Sequence, residues 1–244
     1  MTLPLPSLPM KQIPLDLGPS AAFVREDFVE GNNPALKSWL LNWPNDLPQE
    51  PVVVYLWGEQ GVGKTHLLRA LASVAHGLGW QVLLLDSQGL QSMDADHSEA
   101  PTLVLLDDCE RMDDTCQHWA FNMFIEAAAS AQSSHPVRII AAGVCPPVDL
   151  PVREDLRTRL GWGLVFGIEP LSEEGVRHVL IRESQRRGLN WAEGVLPYIL
   201  TRFNRNLGEL MPLVDRLDRF ALAEKRVITV PLLKQMLEQE QTTA

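Results

Sequence analysis

The sequence predicts an α/β fold: a parallel sheet flanked by helices, followed by a small all-helical domain. Three observations predict it. Short, wholly apolar runs of strand length recur between about residues 52 and 168, and stretches with helical spacing separate them. Strands buried on both faces that alternate with helices belong to a parallel sheet covered on two sides. A glycine loop of phosphate-binding type joins the first run to the first helical stretch. From Ser172 onward the strand-like runs stop and only helical spacing continues.

Residues 1–20 hold repeated Pro and Leu with few charges, a composition that cannot sustain a helix and reads as an extended leader. Met10 is a second candidate start within it. Val52-Val53-Val54-Tyr55-Leu56-Trp57 is the first buried strand. Past the glycine loop, Leu67, Leu68, Leu71, Val74 and Ala75 fall at helical spacing, and Gly77 and Gly79 end that helix. Residues 82–85, 103–106, 137–142 and 164–168 are the remaining strands, and an Ala-rich helix spans 119–131. Ser172-Glu173-Glu174 opens a helix with an N-cap and an acidic first turn. Helices over 193–203 and 207–223, and a short one from Pro231, complete the chain. The expected domains are the leader, 1–20, the α/β domain, 21–170, and the helical domain, 171–244.

The 244 residues are 45% hydrophobic and 21% charged, the balance of a soluble globular protein. The sequence shows neither an apolar run of membrane-span length nor a secretory signal, so a cytoplasmic protein with no membrane partner is expected. A net charge of -10 argues against broad binding to a nucleic-acid backbone. Cys109, Cys116 and Cys145 have no metal-ligand spacing and read as reduced thiols. The seven tryptophans are expected as packing residues, and Arg182, Arg186 and Arg187 as a solvated helix face.

Gly58-Glu59-Gln60-Gly61-Val62-Gly63-Lys64-Thr65 fits G-x-x-x-x-G-K-T and sits between a strand and a helix, the context the motif needs. Glycines let backbone N–H groups close around a β-phosphate. The expected nucleotide-binding residues are Gly58, Gly61, Val62, Gly63, Lys64, Thr65 and His66. Lys64 reaches phosphate oxygens and the Thr65 hydroxyl ligates Mg²⁺. The strand at 103–106 runs into Asp107-Asp108, a Walker B element in which Asp107 holds Mg²⁺ through water and Asp108 orients an attacking water. Two aspartates after a strand are more often a turn or a cap; the upstream glycine loop tips the balance.

The loop continues Lys64-Thr65-His66-Leu67-Leu68, which resembles the G-K-T-H-L-L of the bacterial replication initiator DnaA. Phe28-Val29-Glu30-Gly31-Asn32-Asn33 resembles the segment that contacts adenine in that family. Asp155-Leu156-Arg157-Thr158-Arg159-Leu160-Gly161-Trp162-Gly163-Leu164 resembles its box VII, and Leu207-Gly208-Glu209-Leu210 its sensor 2 stretch. The resemblance spans about residues 23–240 and is to the DnaA branch of the AAA+ ATPases. It implies an AAA+ sheet with a helical lid, and ADP or ATP with Mg²⁺ as cofactors.

The chain stops where the initiator's helix-turn-helix domain would begin, so what remains resembles the family's regulatory AAA+ members. In the leader, Gln12-Ile13-Pro14-Leu15-Asp16-Leu17 resembles the clamp-binding pattern Q-x-x-L-x-L. As an extended peptide it would place Leu15 and Leu17 in an apolar pocket and Gln12 at its edge, and Pro14 would lower the entropy lost on binding. A Pro-rich tail without function is the plainer alternative.

Two positions depart from the family. Gly208 stands where sensor 2 supplies an Arg, with Arg205 about one turn away, and Val144 stands where sensor 1 places an Asp. Each lost charge-assisted phosphate contact costs roughly 1.5–3 kcal/mol, so a protein that holds nucleotide, favours ADP and hydrolyses weakly or not at all is expected. Arg159 is retained, and the resemblance implies a finger acting in trans on ATP bound by a partner; a surface Arg paired with Asp155 or Glu154 is the alternative. The implied function is inactivation of DnaA through the DNA polymerase III sliding clamp, which negatively regulates replication initiation. Self-association is a further expected contact, and strong direct DNA binding is not expected. The rival readings are an autonomous AAA+ ATPase that loads or remodels a helicase, a small-molecule P-loop kinase, and a DNA-binding initiator.

Overall fold

The computed structural model describes residues 28–44, 52–86, 89–92, 100–224 and 227–243. Its sheet has six strands in the order β3-β2-β4-β5-β1-β6: β1 (Val53–Trp57), β2 (Gln81–Asp86), β3 (Gly89–Ser92), β4 (Thr102–Leu106), β5 (Val137–Gly143) and β6 (Leu164–Gly167). The five strands expected from the apolar runs pair in parallel. β3 was not foreseen; it folds back antiparallel to β2 and forms one edge. A four-residue Gly-Leu-Gln-Ser strand carries no apolar run, because an edge hairpin is made by main-chain pairing rather than two-sided burial.

The apolar runs follow from the pleat, since both faces of the sheet are covered. Along β1, Val54 and Leu56 pack with helices α1 (Pro34–Asn42) and α2 (Lys64–Gly77), while Val53 and Tyr55 pack with α3 (Asp114–Ser130) and α4 (Glu154–Leu160). α1 is an unforeseen helix. Pro34 takes an N-terminal position in it, and Leu36 and Leu40, one turn apart, are both buried. Trp39, Trp43, Trp80 and Phe166 form a chain of ring contacts beneath it, at centroid separations of 5.8–6.2 Å. Trp162 departs from the packing expected of the tryptophans, at 61% exposed.

From Glu173 the chain is helical: α5 (Glu173–Arg186), α6 (Val195–Arg202), α7 (Leu207–Glu224) and α8 (Val230–Thr243). The Ser172 hydroxyl accepts from the Gly175 N–H and caps α5 as the sequence indicated. These helices bury their own cluster around Leu180, Ile199, Leu210, Val214 and Leu232. α8 has 14 residues and is longer than the short helix expected.

Arg186 and Arg187 are not a merely solvated face. Both hold the Glu183 carboxylate, and Arg187 also pairs with Asp215, which ties α5 to α7. Burial by itself would raise the Glu183 carboxyl, but hydrogen bonds and charge from Arg186 and Arg187 outweigh it and lower it from 4.5 to about 2. The stabilisation is therefore complete above pH 4.5 and is lost as the pH falls toward 2. Glu183→Gln is expected to lower the stability of the helical region by about 2 kcal/mol near neutral pH. Thermal melts should show the gap to wild type closing as the pH drops through that window.

Candidate functional site

The parallel register aligns the carboxyl ends of the three central strands. Leu106 pairs with Ala141, Ala141 with Tyr55, and Gly143 with Trp57. The loop after β1, the acids after β4 and the residue after β5 therefore emerge side by side, where open α/β sheets bind their ligands.

The glycine loop turns into α2 with Gly61 and Gly63 in the left-handed region, at φ 83° and 103°. Lys64 is 7% exposed, and its ammonium donates to the carbonyls of Gly58 at 2.7 Å and Glu59 at 2.9 Å, curling the loop over itself. An ammonium has three donors, so one is left for an anion. Burial lowers the Lys64 pKa, and the carboxylates of Glu110, Asp107 and Asp108 act against that. The first-turn N–H groups of α2 add positive potential at the same place.

Asp107 is buried at the end of β4. Burial raises its carboxyl; a hydrogen bond from Thr65, one from the Asp108 N–H at 3.0 Å, and the charge of Lys64 oppose the rise. Thr65 and Asp107 thus lie in direct contact beside the loop. Asp108 follows at φ 49°, a left-handed conformation that Asp tolerates better than most residues. Its carbonyl accepts from the Arg111 N–H at 2.8 Å and starts a one-turn 3₁₀ helix, Cys109–Arg111. That turn carries Glu110 back to the end of β5, where its Oε2 accepts from the Val144 N–H at 3.2 Å. Sequence reasoning missed Glu110, which belongs to no motif and comes to the site only through the turn.

The start of α7 closes on the loop. Asn206 Nδ2 donates to the Gln60 carbonyl at 2.7 Å, and the Gly208 N–H donates to the Gly61 carbonyl at 3.2 Å and to Asn206 Oδ1 at 2.7 Å. A Cβ on Gly208 would stand 2.9 Å from Gly61 Cα, and one on Gly61 would stand 1.7 Å from Asn206 Oδ1. Gly208 is therefore a point of backbone contact with the loop. Arg205 turns away to pair with Glu173 at 2.7 Å. His66 faces Glu183 and Arg186 of α5, and burial is the leading cause of its lowered pKa.

The segment at 28–33 is fastened to the connection between β6 and α5. Asn33 is buried, accepts from the Glu169 N–H at 2.9 Å and donates to the Glu169 carbonyl at 3.3 Å, while Asn32 donates to the Glu169 carboxylate at 2.9 Å.

Arg159 lies on α4 with its guanidinium 4.5 Å from the Phe121 ring centroid and 4.7 Å from that of Trp162. Asp155 pairs with Arg153 at 2.6 Å, so it does not hold Arg159. No hydrogen bond or ion pair among the described residues joins Arg159 to the glycine loop. Gln12, Leu15 and Leu17 lie outside the described residues.

The residues present fit a nucleotide polyphosphate with a divalent cation. The loop turns on Gly61 and Gly63 into the N-terminus of α2, Lys64 keeps a donor, and Thr65 and Asp107 present oxygens together. Among the described residues no group of three or more His, Cys, Asp or Glu could hold a metal alone, and Mg²⁺ sites commonly lean on one carboxylate plus phosphate and water. No helix among the described residues is long and apolar enough to cross a membrane.

Residues 173–237 match the family described as Hda, lid domain. The chain is 29% identical over 232 residues to an uncharacterised protein of Haemophilus influenzae, covering 93% of this chain and 98% of that one. In structure it is similar to domain III of the replication initiation protein DnaA of Thermotoga maritima, with a TM-score of 0.68 at 18% identity, covering 94% and 98% of the two chains. It is also similar to a replication initiator DnaA bound to AMPPCP and single-stranded DNA, with a TM-score of 0.59 at 23% identity, covering 80% of this chain and 64% of that one.

Proposed function

We propose that the chain, which matches the Hda lid family over residues 173–237 and shares its fold with domain III of DnaA, is a nucleotide-holding AAA+ regulator that inactivates the replication initiator DnaA in the cytoplasm. It binds the DNA-loaded sliding clamp of DNA polymerase III through Gln12, Leu15 and Leu17. It then stimulates hydrolysis of the ATP carried by DnaA, with Arg159 acting in trans. The observation that carries this reading is the position of Arg159: its guanidinium lies over the rings of Phe121 and Trp162, the latter largely exposed, with the nearby Asp155 engaged by Arg153. Ring contacts of this kind restrain the side chain, and its N–H groups would be offered to a partner's phosphate.

The protein's own nucleotide is held by the main chain from Gly58 through Gly61, Val62 and Gly63 and by Lys64, with His66 behind the loop and against α5. Thr65, and Asp107 through water, would hold Mg²⁺, which would supply charge neutralisation at the phosphates; the two side chains already lie in contact. Asp108 would orient an attacking water. With Val144 and Gly208 at the two sensor positions, the site favours ADP and turns over slowly or not at all. Self-association through the same AAA+ face follows from the geometry proposed for DnaA.

The test is a reconstituted assay in which DnaA loaded with labelled ATP meets DNA-loaded clamp and this protein. Hydrolysis is expected to require the clamp, and Gln12→Ala combined with Leu15→Ala is expected to lose the stimulation. Brisk hydrolysis by this protein alone, with none of DnaA's ATP consumed, would replace the adaptor by an autonomous ATPase that loads or remodels a helicase.

A further inference from the structure

The acids after β4 include one that the Walker pattern does not use. Glu110 is partly buried, and the 3₁₀ turn at Cys109–Arg111 holds it against the end of β5, with its Oε2 3.2 Å from the Val144 N–H. Of the carboxylates that act on the Lys64 ammonium, it acts most strongly, ahead of Asp107 and Asp108. Two consequences follow for an anion at this end of the site. The backbone donor at Val144, which a phosphate oxygen could otherwise use, is already taken. The Glu110 carboxylate, held at the end of β5 next to the strand that leads into the glycine loop, also acts electrostatically on the lysine that a terminal phosphate would have to reach.

Resting on the nucleotide-holding reading above, we infer that Glu110 is a specificity-determining residue that makes the site select nucleoside diphosphates over triphosphates. A diphosphate lies in the glycine loop and shares Lys64 with Glu110. A triphosphate brings a further anionic group toward Lys64 and the Thr65–Asp107 pair, the region a loop lysine and its metal serve in P-loop proteins, and so against the Glu110 carboxylate. Like charges brought this close repel, and added salt screens that repulsion. The preference therefore has a positive cause within the chain, besides the absence of polar side chains at Val144 and Gly208.

The experiment is equilibrium titration of the full chain with fluorescent ADP and a fluorescent, non-hydrolysable ATP analogue in the presence of Mg²⁺. Glu110→Gln, nearly isosteric, is expected to tighten the triphosphate on the order of tenfold while leaving the diphosphate within about threefold. Glu110→Asp keeps the charge and is expected to keep the preference, and raising the salt is expected to weaken the preference in wild type. A ratio unchanged in Glu110→Gln, or both nucleotides weakened alike in a variant that melts like wild type, would overturn the inference. Lys64→Ala is the control that loses both nucleotides. Wild-type protein that binds neither would overturn the nucleotide-holding reading itself, an outcome distinct from a site that binds both without discrimination.

Discussion

Arg159→Ala is expected to abolish the stimulated hydrolysis of DnaA-bound ATP, with a drop of about 10³-fold or more, the scale of an arginine finger supplied in trans. The size follows from the chemistry of the group. A guanidinium stays charged and can bridge two oxygens of a transferring phosphoryl group, and no neighbour here can take over that role. Arg153 is paired with Asp155, and Arg157 donates to the Val148 carbonyl at 3.3 Å. Arg159→Lys is expected to fail nearly as badly, because an ammonium neither stacks in the same way between Phe121 and Trp162 nor forms the fork. Trp162→Ala removes one of the two stacking rings and leaves the charge, so a smaller loss of about tenfold is expected. Nucleotide binding by the protein itself is expected to be unchanged in all three variants, which the same fluorescent titration checks. Full stimulation by Arg159→Ala would remove the finger assignment and leave box VII a packing element.

The elements that the sequence revealed are those whose cause is local or periodic. The five parallel strands were legible because burial on both faces makes each an apolar run, as in Val53–Trp57, where neighbouring residues serve opposite layers. The glycine loop was legible because its residues are contiguous and its neighbours are a strand and a helix. β3 was not, since its pairing with β2 is a main-chain event at an edge. α1 was passed over for a different reason: it has only Leu36 and Leu40 fully inside, too few positions to register as a periodic face. In the site, what stayed hidden acts through contacts distant in sequence. Asn206 reaches Gln60 across 146 positions, and Glu110 reaches Val144 across 34. Gly208 is the instructive case, because the sequence offered it only as a missing Arg. The structure supplies the reason for glycine, a backbone approach that leaves no room for a Cβ.

That contact makes the restoration of the family residue a destructive change. Gly208→Arg is expected to pull the helical region off the glycine loop instead of rebuilding a phosphate sensor. The new Cβ would lie 2.9 Å from both Gly61 Cα and Asn206 Oδ1, and the Gly61 side is main chain that cannot swing aside. Relieving the overlap means giving up the Gly208–Gly61 and Asn206–Gln60 hydrogen bonds together. Overpacking of this kind costs about 1–3 kcal/mol and the two lost hydrogen bonds together about 2 kcal/mol, so closure weakens by about 3–5 kcal/mol. That corresponds to a fall of roughly 150- to 5,000-fold in the closed-to-open ratio. Hydrogen exchange over residues 58–63 and at the start of α7 should quicken, and diphosphate binding should weaken by about tenfold or more. Asn206→Ala, which removes one hydrogen bond without adding bulk, should show the same effects at about 1 kcal/mol. The opposite result, protected exchange with a newly tight triphosphate, would mean that the lid is free to reseat and that position 208 is an open sensor slot. The expected outcome instead makes Gly208 the point where the lid reads the loop directly, backbone against backbone, which an Arg reaching across a gap to phosphate could not do.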